Sequence, residues 1–284
     1  MKVLFVFTLL IQVLHPNFVL NLVTPIGNNS QSFCLEQLPK NTAASQTFEA
    51  MICGKNPTDT QIRDSLIASG LFHLFVVSGS HLTSLILLLE HLSLPLWLIR
   101  AIALIYVFFT GAQPPAVRGF VFTLLPQKRP HDLKVLWAGL ICIFIFPPWI
   151  NSKSLLLSWS FSLFCLSSPF MTFLFTAPLL WGWGNLHPVT MVYNVVLGFL
   201  AGGVLLPLLV LACILPCLLP ITEKTIQVFF WICEKGLHFQ SPNTLLNTSL
   251  SNEVLVVYLL LIHVLWHALR INHFRQKIFF SRSQ

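Results

Sequence analysis

Arg118 is the residue whose chemistry is hardest to absorb into packing. Its guanidinium is charged at any physiological pH, and it follows Pro114-Pro115 inside otherwise apolar sequence. Backbone broken by prolines at membrane depth must be buried in protein or line water. A phosphate, a carboxylate or a protein acid is therefore expected to satisfy Arg118, so a phosphate path and a structural pair both stay open. The remaining polar groups cluster. His73, Ser78, Ser80, His81, Thr83 and Ser84 fall in one apolar stretch, with Gly70 and Gly79 as break or packing sites. Glu90, His91 and Arg100 flank Ser93-Leu94-Pro95, while Ser158, Ser160, Ser162 and Asn194 mark two later stretches.

Each has a structural reading. Glu90 and Arg100 are expected to snorkel or to pair across the bend. Serine and threonine in apolar helices commonly bond back to their own backbone or help helices pack. His73 and His81 stand about 80° apart on a continuous helix and share a broad face only. His263 and His267 have the i, i+4 spacing that can hold a metal, but no third ligand is visible, so no metal is expected. Ser80 and His81 are neighbours that point about 100° apart, poor geometry for proton transfer, so no catalytic role is assigned. Cys34 and Cys53 flank a polar segment; they read as a disulfide in an oxidising compartment or as two separate thiols. Cys142, Cys165, Cys213 and Cys217 read as small apolar residues inside helices, and Cys233 falls on an amphipathic one.

The elements that position these groups follow from composition. Of 284 residues, 55% are hydrophobic and only 9% charged, with 25 Phe. Soluble domains carry about 25% charged residues, so this chain lacks the charge to cover a water-facing surface. A cytosolic enzyme, a disordered tail and a fibrous protein are excluded. The expected fold is all-α, a polytopic membrane bundle with broken or re-entrant helices, since the apolar runs do not alternate as barrel strands do. Residues 1–24 read as a signal-anchor or signal peptide and 25–65 as an extracytoplasmic segment with a short amphipathic helix near its end. Spans are expected at Leu66–Leu92, Leu96–Thr110, Ala116–Leu125, Leu133–Ile150, Leu155–Ala177, Met191–Leu219 and Val254–Ile271, giving seven or eight crossings. The run from Gly111 to Pro115 reads as non-helical. Within 66–271, the segment 221–253 is expected on the membrane surface, with an amphipathic helix Glu223–Leu237; 272–284 is a basic tail.

The net charge of +7 is unevenly placed. Lys128, Arg129 and Lys134 crowd one loop, and Arg270, Arg275, Lys277 and Arg282 crowd the C-terminus, whereas 25–65 mixes both signs. By the positive-inside rule the two basic segments face the cytoplasm, and alternating crossings agree with that. The C-terminus is thus expected inside a bacterial cytoplasmic membrane.

Four motifs in order then resemble a known family. Phe48 to Leu92, FEAMICGKNPTDTQIRDSLIASGLFHLFVVSGSHLTSLILLLEHL, is similar to the opening of the competence domain of ComEC-type DNA-uptake proteins, through Gly54, Gly70, His73, Leu74, Ser78, Gly79 and His81. The segment from Tyr106 to Arg118 resembles the family's Y-x-x-x-x-G-x-x-x-(P/S)-x-x-R, Ser158-Trp-Ser-Phe-Ser-Leu its GFQLSF helix, and Pro188 to Pro207 with Asn194 its N…P span. Ser80 stands where the family has a large apolar residue, and the GFQLSF-like helix lacks the Gly and Gln. Neither an OB-like nor a metallo-β-lactamase-like domain is expected here, and no H-x-H-x-D-H string of the latter occurs in the sequence.

The resemblance implies a channel component that passes single-stranded DNA across the cytoplasmic membrane during natural transformation. His73, Ser78, Gly79, His81, Arg118 and Asn194 would line the DNA path or hold its broken helices. No enzyme activity and no cofactor are expected. The implied partners are single-stranded DNA, the lipid bilayer, a cytoplasmic motor, single-strand-binding proteins, a separate nuclease and, left open, further copies of the chain. A polytopic small-molecule transporter is the main alternative; an intramembrane hydrolase or a degenerate assembly subunit are lesser ones.

Overall fold

Prolines punctuate the chain, and the helices sit between them. A computed structural model describes residues 17–40, 44–60, 62–63, 66, 79–164, 176, 196–198, 200–237 and 251–282. Helix α1 spans Phe18–Glu36, α2 Ser45–Cys53, α3 Gly79–His91, α4 Leu96–Phe109 and α5 Pro114–Leu124. Then come α6 at His131–Ile145, a 3₁₀ turn at Pro147–Asn151, and α7 at Lys153–Phe164. A π-turn at Ala201–Leu205 leads into α8, Leu206–Ile214, followed by a 3₁₀ turn at Pro216–Leu218, α9 at Leu219–Leu237 and α10 at Asn252–Arg282. No strand occurs among the described residues, so the fold is all-α as far as it is described.

Several boundaries differ from the sequence expectation. Helix α1 runs through Pro25 across the expected junction at residue 24. A proline removes one helical hydrogen bond; here packing holds the helix, because Gly27 lets it close on the Gly111 backbone at 3.0 Å from a built Cβ. Pro114 and Pro115 are helical after all. They occupy the first positions of α5, where a missing N–H is harmless and the fixed φ suits the helix. The turn before them is made by Gly111 and Ala112, both at positive φ (73° and 51°). Of the two expectations for Glu90 and Arg100, snorkelling or pairing across the bend, the pairing is absent. Glu90 is exposed, and an Arg100 Nη donates to the Thr123 carbonyl at 3.1 Å.

Two of the helices are short. α4 and α5 hold 14 and 11 residues, roughly 16–21 Å each against about 30 Å of hydrocarbon. Among the described residues only the helix over Val196–Ile214 is long and apolar enough to cross a membrane; Leu96–Phe109 and Glu253–Ala268 are shorter apolar helices.

Two larger cores organise the chain. The first joins α2 to α8 and α9: Phe48, Met51 and Cys53 are fully buried against Leu205, Leu209, Ile226 and Phe229. The nine-residue α2 is therefore interior, although its surroundings in sequence are polar. The second joins α6, α7 and α10 around Val135, Leu156, Trp159 and Leu259. Outside these cores large apolar side chains face outward, with Trp97 71%, Ile214 69% and Val264 67% exposed.

Candidate functional site

Where α3, α5 and α7 meet, a cation is buried. Pro114-Pro115 starts α5 one turn before Arg118, and Arg118 is only 2% exposed. On α7, Ser158 and Ser162 are four apart and so share a face. Arg118 donates from Nε and from one Nη to Ser158 Oγ, at 3.2 and 3.0 Å. The same Nη donates to Ser162 Oγ at 2.5 Å. Ser162 in turn gives its own proton to the Ser158 carbonyl at 2.8 Å, which turns its lone pairs toward the arginine. Hydroxyl acceptors fix the direction of a guanidinium while carrying no charge themselves.

Gly79 supplies the space. A Cβ built on it would stand 2.9 Å from the Arg118 Nη, 3.1 Å from Ser158 Oγ and 3.4 Å from the Pro115 carbonyl oxygen. Gly119 closes the same crossing from α5, its built Cβ lying 3.3 Å from Leu82 Cδ2 and 3.5 Å from Gly79 Cα. Two glycines thus let α3 and α5 touch along their backbones with the arginine wedged between. His81 lies two residues on in α3 and is buried, at 1% exposure. His73, Ser78 and Asn194 lie outside the described residues, as do Cys165 and the side chain of Ser80.

A second polar cluster joins α6, α7 and α10. The Trp159 Nε1–H donates to His263 Nε2 at 2.8 Å, a bond that fixes the lone pair of His263 on Nε2. One turn on, His267 Nδ1 meets Asp132 Oδ2 at 2.7 Å. The histidine pair whose spacing could suit a metal is thus engaged with an indole and a carboxylate. Among the described residues no group of three His, Cys, Asp or Glu forms a metal-binding set. Asp132 is the residue that sequence reasoning passed over: it lies among the basic residues of the 128–134 loop, yet its side chain is 2% exposed. Its position in the first turn of α6, two residues after Pro130, was the available signal.

At the other end of the bundle, Cys34 and Cys53 form a disulfide between α1 and α2. Gly54 ends α2 in the left-handed conformation, with Gly54 N–H bonded to Ala50 O and Lys55 N–H to Glu49 O. The carbonyls of Cys53 and Gly54 are taken by two glutamine amides, Gln31 at 2.8 Å and Gln113 at 2.7 Å. Gln113 immediately precedes α5, so this clasp sets where the Arg118 helix begins.

Residues 51–158 match the model of the family described as competence protein. A Mycoplasma genitalium protein named "Uncharacterized protein MG316" is 34% identical over 95 residues, which cover 30% of this chain and 26% of the relative. The match thus spans about a quarter of that relative's length. No solved structure matches. The family segment contains Gly79, His81 and Arg118 and ends on Ser158, the first hydroxyl that holds the arginine. This chain therefore carries a ComEC-type competence domain across residues 51–158.

Proposed function

We propose that this chain is a component of a DNA-uptake channel, passing single-stranded DNA across the cytoplasmic membrane during natural transformation. The observation that carries the reading is the buried Arg118, wedged against Gly79 and oriented by Ser158 and Ser162 inside the competence domain. A strand bears one negative charge per nucleotide, and a pore must offset it without binding so tightly that transit stops. The Arg118 guanidinium, buried and held by hydroxyls, would offset that charge from behind the helix crossing, through its field rather than by touching the strand. The resemblance would add His81 to this set, with His73, Ser78 and Asn194, which lie outside the described residues. The chain performs no catalysis in this reading; a separate nuclease, a cytoplasmic motor and single-strand-binding proteins supply the strand and the driving force.

The multi-pass orientation belongs to the same proposal. Outward-facing Trp97, Ile214, Leu261 and Val264 suit lipid better than water. The contact between Asp132 and His267 brings the loop bearing Lys128 and Arg129 to the level at which the basic C-terminal stretch begins. The bond from Arg100 to Thr123 sits near the bend and loop that the same topology puts inside, and the disulfide with its glutamine clasp belongs to the external end. These contacts group the two basic segments at one end and the disulfide at the other, and with the positive-inside rule that grouping supports a cytoplasmic C-terminus.

The test is uptake of labelled duplex DNA by a deletion strain carrying the wild-type chain, Arg118→Glu or no copy. Label reaching the cytoplasm is scored apart from label held outside the inner membrane. Deletion should abolish cytoplasmic entry while external label persists. Unchanged entry would overturn the channel and leave a small-molecule transporter as the better reading.

A further inference from the structure

Helix α9 carries two stripes with the same spacing on opposite sides. Thr222, Ile226, Phe229 and Cys233 are buried against the first core. Lys224, Val228, Trp231 and Lys235 are exposed. Both sets step by four, three and four residues, and the two lines lie about 200° apart on the helix. The order around the remaining surface is also informative. Taking Ile221 as zero, Glu223, Glu234 and Gln227 fall at about 200–240°, Trp231, Lys224 and Lys235 at about 280–320°, and Val228 and Ile221 at about 340–360°. Passing round from the protein side, the surface goes from acidic, through basic and aromatic, to apolar.

A helix inside a soluble core or one wholly in water has no use for that gradient. Val228, Trp231 and Ile221 are 51%, 58% and 59% exposed, and the Lys235 ammonium lies 5.9 Å from the Trp231 ring centroid. Indole with a neighbouring lysine is the side-chain pair that settles at headgroup level, while the adjoining apolar edge enters the acyl region. The segment is also too short to cross: its apolar run lies between Glu223-Lys224 and Glu234-Lys235, which recur at an 11-residue interval, roughly 16 Å.

We infer that α9 is an interfacial helix whose Lys224–Trp231–Lys235 line binds the headgroups of anionic phospholipids. The glutamates face water, the lysines and the indole meet phosphate level, and Ile221 with Val228 reaches the acyl chains. Two lysines so far apart engage separate lipids, so each should contribute on its own. This inference rests on the membrane reading above.

The full chain is reconstituted in nanodiscs of phosphatidylcholine alone or with phosphatidylglycerol. Val228→Cys is labelled with bimane in a Cys213→Ser, Cys217→Ser background, and the unlabelled-position background serves as control. Lipids brominated on the acyl chain should quench the label at least twice as strongly as aqueous iodide. Lys224→Gln with Lys235→Gln should reduce the phosphatidylglycerol retained on purification by about half, with α9 still folded. Stronger quenching by iodide than by brominated lipid overturns the inference, as does unchanged lipid retention. Protection of the label from iodide by an added oligonucleotide, without lipid quenching, would overturn it in favour of a nucleic-acid surface. Failure of the chain to enter nanodiscs at all would instead sink the membrane reading on which it depends.

Discussion

Gly79 and Arg118 form one arrangement from two helices: the side chain that position 79 lacks is the space that the guanidinium fills, at 2.9 Å from a built Cβ. Because the obstructing atom is the end of a flexible side chain, Gly79→Ala should leave the fold intact and displace the guanidinium from Ser158. Uptake should fall by about ten-fold, the equivalent of one charge-assisted hydrogen bond, at normal protein level. Gly79→Leu, which also meets the Pro115 carbonyl, should abolish it. Normal uptake with Gly79→Leu at normal protein level would remove this crossing from the transport path.

The serines give a second, separable prediction. Ser158→Ala and Ser162→Ala each remove an acceptor from a buried cation, which costs about 1–3 kcal/mol per hydrogen bond to a charged group. Both accept from the same Nη, so each can cover for the loss of the other and the double variant should lose more than the sum of the singles. Thermal unfolding in detergent measures the three values. Strict additivity would mean that the two hydroxyls do not act on Arg118 as a unit.

Much of this was legible in the sequence because its signals are local. Prolines at 95, 114, 126, 130 and 147 bound α4, α5, α6 and the turn before α7 through rules that need no tertiary information. The prominence of Arg118 followed from charge in apolar surroundings. Its partners did not, because Ser158 and Ser162 lie 40 and 44 residues away and only helix packing brings them across. Asp132 was hidden for the opposite reason: a charge beside Lys134 and Arg129 looks like loop surface until α10 returns to cover it, 135 residues later. The junction at residue 24 was not legible as helix, because packing of Gly27 on Gly111 carries α1 through Pro25 despite the lost bond.

Helix α10 is docked by polar contacts that can be measured as pairs. Asp132→Ala and His267→Ala should each destabilise the chain, and a double-mutant cycle should return a coupling of at least about 1 kcal/mol, since the carboxylate is buried. Trp159→Phe should remove the bond to His263 and leave a small cavity, so its cost should exceed the roughly 1–3 kcal/mol of an orphaned buried acceptor alone. Gly139→Ala should cost more than either, because its Cβ would overlap the rigid Trp159 indole. A coupling near zero between Asp132 and His267 would mean that α10 is held by its apolar contacts alone.

Thiol chemistry tests the packing of α9 and the turn before it. Cys217 is exposed and should react with maleimide within minutes at pH 7.5 in native protein. Cys233 is buried on the inner stripe of α9, and burial pushes its thiol up to about 12. A raised pKa keeps the thiol protonated and unreactive across neutral pH, so labelling should appear only as the pH approaches that value or as the helix unfolds. Cys34 and Cys53, joined in the disulfide, should become labelled only after reduction. Comparing the wild type with Cys217→Ser and Cys233→Ser by mass spectrometry assigns each adduct. Rapid labelling of Cys233 at neutral pH would show that α9 does not rest on the α2–α8 core, and would detach the exposed lysine–tryptophan line from the orientation that gives it a membrane to face.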